Sequence, residues 1–325
     1  LRVIVTGGSG FIGTNLVEHF VTNGDEIINI DIVSPRNKAH TPYWINVDLC
    51  DAAKLREVIQ KLLPDVILHM GARTDLDGLS ISDYSANTVG VQNIIAAITG
   101  LKSLRRIIFA SSRLVCRIGY QPDNEFDYCP STPYGESKVL GEKIVRENST
   151  QIPCPWLIVR PTSIWGPWFD IPYKTFFLTI VKGKYFHPGP EKILKSFGFI
   201  GNTVYQLQRL LDVPLYTFSA KTIYLGDYPP IDVEEMANKI QNTLGTPKIK
   251  RMNLRYLHVA AKFGDMLKRF GWKNPPLTSF RLNNLVTPMI YDLEPLKLLV
   301  GDLPFTMSQG VENTVVWLRK NGEVT

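Results

Sequence analysis

The sequence predicts an α/β chain: a doubly wound parallel sheet joined to a smaller, interleaved C-terminal lobe. Three observations carry this. The chain opens on a β-branched run, Val3-Ile4-Val5, that passes through Thr6-Gly7-Gly8-Ser9-Gly10-Phe11-Ile12-Gly13 into residues at helical spacing. Apolar runs and amphipathic stretches then alternate at intervals of ~30 residues, the rhythm of successive βαβ units. Beyond residue 165 proline, glycine and aromatic residues crowd the chain as far as 190, and the alternation breaks. The division expected is 1–165, with 196–228 returning to it, as a dinucleotide-binding unit, and 166–195 with 229–325 as a substrate-binding lobe.

In the opening turn Gly7 permits the tight bend and Gly10 lets backbone N–H groups approach a pyrophosphate. Gly13 lets the helix from Thr14 to Val21 pack close to the strand. Glycines alone would mark a turn; between a strand and a helix they point to a nucleotide cofactor. Glu26 to Asp31 reads as the second strand and ends in an acid 18 residues after Gly13. There a carboxylate can accept hydrogen bonds from the adenosine ribose and repel a 2′-phosphate, which favours NAD over NADP, while Arg36 keeps NADP open. A third short strand leads to Asp48 and Leu49. Asp48 can bond the adenine amino group and Leu49 can stack on the ring, or Asp48 can cap the loop.

Asp51 to Leu63 reads as a helix and Val66 to His69 as the fourth strand. It ends in Met70, Gly71 and Ala72, small enough at Gly71 and Ala72 for backbone to lie against a cofactor. Ser85 to Leu101 reads as a helix carrying Asn87 and Asn93. Arg105 to Ala110 is the fifth strand, closing on Ser111-Ser112. Pro133, a favoured first-turn residue, opens a helix that runs to Asn148. Tyr134 and Lys138 stand on it at i and i+4, on one face. Trp156 to Val159 is the sixth strand, ending in Arg160-Pro161. Thr222 to Leu225 is a further strand, and Asp232 to Leu244 and Ser308 to Lys320 read as helices.

The 325 residues, 44% hydrophobic and 20% charged, suit a globular chain with a full core. The net charge of +6 reads as spread along the chain, which argues against nucleic acid as a partner and permits an anionic, phosphate-bearing substrate. Cys50, Cys116, Cys129 and Cys154 have neither metal-ligand nor disulfide-framework spacing, so no metal is expected and a reducing, cytoplasmic setting fits. No secretory segment and no long apolar span is present. Arg255 to Phe270 is a basic amphipathic helix; it suits either a membrane surface or, the commoner arrangement, docking on its own domain.

A phenol of ordinary pKa near ~10 is a poor base at neutral pH, and a nearby ammonium or a cationic nicotinamide ring lowers that value. Ser112, Tyr134 and Lys138 thus form a hydride-transfer constellation, in which Tyr134 exchanges the hydroxyl proton and Ser112 holds the reacting alcohol or carbonyl.

Together TGGSGFIG, Ser111-Ser112, YGESK and RPTSIWGP resemble the extended short-chain dehydrogenase/reductase family, most closely its NAD-dependent nucleoside-diphosphate-sugar epimerases and dehydratases. The resemblance runs over nearly the whole chain and is densest up to Pro167. It implies a Rossmann-type sheet and a catalytic Ser112, Tyr134 and Lys138. It also implies cofactor contacts from Gly7, Gly10, Phe11, Ile12, Gly13, Asp31, Asp48, Leu49, Met70, Gly71, Ala72, Asn87 and Pro161, besides Tyr134 and Lys138. On the substrate side it implies Arg281, about where the family's late diphosphate-binding arginine falls, and Lys195, which opens the segment matching its Arg-Asp-Phe-Val-Tyr-Val-Asp-Asp. Homodimers pairing two helices per subunit are common in the family, here Ser85 to Leu101 and Tyr134 to Asn148.

The departures narrow the reaction. Where the family's 4,6-dehydratases carry Asp-Glu after the catalytic hydroxyl, this chain has Arg113-Leu114, and Leu114 moves no proton, so dehydration is disfavoured. Cys116 replaces an aromatic and reads as a small core residue rather than a reactive thiol. The expectation is an NAD-dependent epimerase of a nucleoside-diphosphate sugar, working through a keto intermediate at C4. The alternatives are an NAD(P)-dependent reductase or dehydrogenase of a keto-sugar or other bulky alcohol, and a non-catalytic nucleotide-sensing protein on the same fold.

Overall fold

The computed structural model describes residues 1–214, 220–272 and 275–324. The chain forms two compact units: 1–164 with 198–227 and 292–304, and 165–197 with 228–291 and 305–325.

The first unit is built on a seven-stranded, wholly parallel sheet. Its strands are β1 (Arg2–Thr6), β2 (Glu26–Asp31), β3 (Trp44–Asn46), β4 (Val66–His69), β5 (Arg106–Ala110), β6 (Trp156–Pro161) and β7 (Lys221–Leu225). They lie in the order β3-β2-β1-β4-β5-β6-β7. The order reverses between β1 and β4, and in such sheets the crevice outside the carboxyl ends at that reversal is where ligands bind. Val3, Ile4, Val5, Ile67, Leu68, Ile107 and Ile108 are all buried. Strands covered on both faces have no need to alternate polar residues, which is why these runs read as strands in the sequence.

The crossover helices are α1 (Phe11–Thr22), α2 (Ala52–Leu62), α3 (Val89–Ile98) and α4 (Pro133–Glu147). Asp51 caps α2 through its carboxylate to Lys54 N, and Thr132 caps α4 through its hydroxyl to Gly135 N. The helix expected over 85–101 is shorter and broken. A Ser80/Asp83 capping box starts a 3₁₀ turn over Ile81–Asn87, and α3 begins only at Val89. The break falls at Thr88, whose φ of −123° and ψ of −71° are not helical.

Residues 292–304, expected in the second lobe, belong to the first unit. The helix at Glu294–Val300 buries Leu296 and Val300 and packs on the Ile200–Asp212 helix and β7. Asp227 is buried in this unit and accepts from Phe199 N at 2.9 Å and Asn202 Nδ2 at 3.0 Å. Burial pushes its carboxyl up to about 7, against the opposing pull of those two bonds. A carboxyl raised above its ordinary 3.8 contributes stability below pH ~4 that is lost as pH rises towards 7. Calorimetry on wild type and Asp227→Asn should therefore show a wild-type decline of a few kcal/mol across that window, and a flatter profile in the variant.

In the second unit α5 (Tyr173–Val181) and α11 (Met307–Lys320) both pack on α7 (Val233–Leu244). For labelling, α6 is Ile200–Asp212, α8 is Leu254–Arg269, α9 is Ser279–Val286 and α10 is Glu294–Val300. Aromatic pairs such as Phe169 with Phe177, at 5.3 Å, and Trp168 with Trp317, at 5.5 Å, fill this unit. They account for the aromatic crowding that ends the sequence alternation.

Candidate active site

The glycine turn and the end of β4 are pressed together. Gly7 has φ +69°, and a Cβ there would lie 2.6 Å from the Gly71 Cα. A Cβ on Gly13 would lie 2.0 Å from the Gly7 carbonyl oxygen. Only glycine fits, and the bare backbone at the reversal point makes a cradle that suits a dinucleotide pyrophosphate. Gly10, the N-cap of α1, supplies no side-chain cap, and the positive end of the helix dipole lies at this turn, where an anion is favoured. Gly13→Ala should cost about 2 kcal/mol or more of stability by overpacking and strip the bound cofactor, read by thermal melting and by cofactor released on heating.

Asp31 holds the turn from below: its Oδ2 accepts from Ser9 N at 3.0 Å and its Oδ1 from Val33 N at 3.0 Å. Burial raises its pKa, against those bonds and Arg36. Arg36 Nε donates to the Ser9 carbonyl at 3.0 Å. The Asp48 carboxylate accepts from Cys50 N at 2.8 Å, whereas Leu49 is buried against Gly71 and Gly90. Met70 and Gly71 are tied to β1, through the Thr6 carbonyl and hydroxyl respectively. Asn87 is buried and uses its whole amide: Oδ1 accepts from Arg73 N, and Nδ2 donates to the Arg73 carbonyl and the Ser137 hydroxyl. It fastens the loop after β4 to helix α4. Pro161 closes β6 and pairs with Leu225 of β7.

Tyr134 is buried, and the Ser112 hydroxyl acts on its phenol, favouring the ionised form. Ser112 also accepts from Leu114 N at 3.1 Å. The close approach has a local cause. A Cβ on Gly135 would lie 2.3 Å from the Leu114 carbonyl oxygen, so glycine lets α4 sit directly on the loop that follows β5. Burial raises the Tyr134 pKa, while the Ser112 hydroxyl and the Arg113 guanidinium pull it down. Lys138, one turn along, donates to the Ala110 carbonyl at 3.0 Å; burial lowers it to about 8, against the pull of Glu142. His69 is buried and held near 3 by burial and then by Lys138, so it is neutral; Thr6 Oγ1 is 2.8 Å from its Nδ1.

Behind this group lies a buried ion pair that the sequence did not reveal. Glu142 on α4 accepts from Arg160 Nε and Nη2, each at 2.8 Å, from Ser111 Oγ at 2.5 Å and from Tyr128 Oη at 2.9 Å. Burial works against the Arg160 charge, yet the bonds to Glu142 outweigh it and push its pKa up. Gly135, Arg113 and this pair support the site without belonging to the expected set. Gly135 was visible inside YGESK, and Arg113 only as a departure.

Lys195 and Arg281 lie in the second unit. Lys195 is buried and donates to the Asn284 carbonyl, near the C-terminus of α9, where a cation suits the helix dipole. Arg281 donates to the Pro275 carbonyl at 2.7 Å. Among the described residues no cluster of three or more His, Cys, Asp or Glu could hold a metal ion, and all four cysteines are free thiols. No helix among them is long and apolar enough to cross a membrane.

The sequence profile of the NAD dependent epimerase/dehydratase family matches residues 3–183. The chain belongs to this family. This family member is accordingly an NAD-dependent enzyme of the extended short-chain dehydrogenase/reductase type, and the glycine cradle fits the cofactor. It is 25% identical to the N-acetyl-alpha-D-glucosaminyl-diphospho-ditrans,octacis-undecaprenol 4-epimerase of Escherichia coli O157:H7, over 97% of this chain and 94% of that protein. It is 23% identical to a 2-alkyl-3-oxoalkanoate reductase of Stenotrophomonas maltophilia, over 94% and 95% of the two chains. Its fold matches that of UDP-glucose 4-epimerase from Thermotoga maritima, solved with UDP-glucose. The TM-score is 0.76 over 99% of this chain and 100% of that one, at 17% identity.

Proposed function

We propose that the chain is a 4-epimerase acting on a nucleoside-diphosphate sugar through a transient ketone at C4. The observation that carries this reading is the glycine cradle at the sheet reversal, together with buried Tyr134 and Lys138 one turn apart on α4, where Lys138 is tied to the end of β5 that leads into Ser112. Bound NAD supplies the hydride acceptor and donor. Gly7, Gly10, Gly13 and the first-turn amides of α1 hold its pyrophosphate, and Asp31 takes the adenosine ribose. Tyr134 receives the carbinol proton on its phenol oxygen and gives it back, while Ser112 orients the reacting oxygen. In this buried site the phenolate needs nearby positive charge, which Arg113 supplies; Lys138, lowered to about 8, retains its ammonium at neutral pH.

Leu114 offers no proton where a dehydratase would need an acid, so the ketone is reduced again rather than dehydrated. Arg281 is assigned to the substrate diphosphate, which a guanidinium suits. A homodimer through α3 and α4 is part of the same reading, supported by the exposed Val89 and Leu140 on those helices. With four free thiols, a reducing cytoplasm is the setting that fits.

The test is to purify the protein, quantify NAD released on heating, and incubate it with UDP- and GDP-sugars without added cofactor while following the sugars by NMR. Epimerised product is the expected result. Turnover only with added reduced cofactor and a keto substrate would overturn the proposal in favour of a reductase, the activity named for the Stenotrophomonas relative. Bound NAD with no turnover would place the chain among non-catalytic members of the fold.

A further inference from the structure

Helix α8 has an inward face and an outward one that is exposed among the described residues. Leu254, Leu257, Ala261 and Gly264 line the inward side, and Ala261 and Gly264 are buried. A Cβ on Gly264 would lie 1.7 Å from the Leu277 carbonyl oxygen, so the following segment is pressed against the helix at that point. On the other side Tyr256 is 72% exposed, Val259 69%, Phe263 56%, Met266 43% and Phe270 82%. Successive gaps of three and four residues place these five on an arc of about 80°. The helix docks on its own unit, one of the two arrangements its sequence allows, through the side bearing Leu254, Leu257, Ala261 and Gly264, and it leaves the aromatic side outward.

The charge is arranged beside this arc. Arg255, Lys262 and Arg269 recur every seven residues and run as a basic row along one edge of it. Among the described residues none of the three is in an ion pair. Residues 248–281 contain nine Lys and Arg against one carboxylate, Asp265, an excess larger than the whole chain's net +6. The charge that composition reads as spread along the chain is weighted towards this stretch of sequence; of its nine cations Arg251 is paired with Glu234, and Arg255, Lys262, Lys268 and Arg269 stand on α8 itself.

We propose that this face of α8 docks on the anionic surface of a phospholipid bilayer. The helix lies in the interfacial plane with Phe263, Phe270 and the neighbouring half-exposed Trp272 at headgroup depth and the basic row on lipid phosphates. A second copy of the chain is a poorer occupant. Antiparallel pairing of two such faces across a twofold axis sets the Arg255–Lys262–Arg269 row against its own copy, like charge on like charge. The docking does not rest on the proposed reaction.

Co-sedimentation of the full chain with vesicles tests it without any sugar present, so the two readings fail separately. The protein should pellet with vesicles of phosphatidylcholine containing about 30 mol% phosphatidylglycerol, and not with pure phosphatidylcholine. Raising salt to about 0.5 M should weaken the partition roughly ten-fold. Phe263→Ser with Phe270→Ser, and separately Arg255→Gln with Lys262→Gln and Arg269→Gln, should each weaken it at least about ten-fold. Both sets are exposed positions, so the melting temperature and bound NAD should stay unchanged. Wild-type protein that ignores the anionic vesicles, or variants that bind them as wild type does, would overturn the proposal. So would a wild-type oligomer that the phenylalanine variants dissociate while vesicle binding is absent.

Discussion

Tyr134→Phe is expected to lower turnover by about 10³- to 10⁴-fold while leaving bound NAD at its wild-type level. The phenylalanine ring fills the same buried space and keeps its tilted packing against Tyr84, 5.9 Å away between centroids. Ser112 keeps the Leu114 amide as a partner, so no buried hydroxyl is stranded. What is lost is the O–H proposed to carry the carbinol proton. The glycine turn and Asp31, the contacts proposed for the cofactor, lie on other elements, which is why its content should not follow activity. Sugar turnover by NMR and NAD released on heating, measured on one preparation, separate the two effects. A variant keeping more than about a tenth of wild-type activity would remove Tyr134 from the role of proton carrier.

Glu142→Gln is the substitution expected to cost most stability. Glu142 and Arg160 are both buried, and the carboxylate also receives Ser111 and Tyr128. Neutralising one partner leaves a guanidinium in the interior without its countercharge, at a cost of about 3–5 kcal/mol. In a chain of this size that corresponds to a fall of roughly 10 °C in melting temperature, measurable by calorimetry. Activity should fall too, because Glu142 lies one turn beyond Lys138 on α4 and holds the end of β5 through Ser111. Replacing the pair together by apolar residues of similar volume should recover part of the stability, since the penalty belongs to the stranded charge rather than to the absence of the bridge. A double variant as unstable as the single one would show that the pair is needed for its other contacts.

Much of the first unit was legible because its strands are buried on both faces and its turns depend on glycine. Val3-Ile4-Val5, Glu26 to Asp31 and Val66 to His69 needed no tertiary context to read. The helix expected over 85–101 misled because Asn87 and Thr88 carry no local mark of a break; the break follows from Asn87 bonding Arg73 and Ser137, partners distant in sequence. The Glu142–Arg160 pair was invisible for the same reason, as its partners sit on different elements of one face of the sheet. Residues 292–304 could not be assigned to the first unit from the sequence, because Leu296 and Val300 would suit either core. For α8 the periodicity was plain, but only exposure shows which of its two stripes is packed.

The last strand of the sheet, β7, reaches β6 only after the chain has left the first unit and returned to it. Lys221 to Leu225 pairs in register with Leu157 to Pro161, so β6 has an open edge until residue 225 has been synthesised. On the ribosome the nascent chain therefore carries an apolar strand, Leu157-Ile158-Val159, without its outer neighbour while 166–220 are added. A recombinant fragment trimmed to the matched stretch, 3–183, would hold that edge open permanently and invite strand-to-strand aggregation. The practical boundary for expressing the cofactor-binding half is not where the family profile ends but beyond β7 and α10.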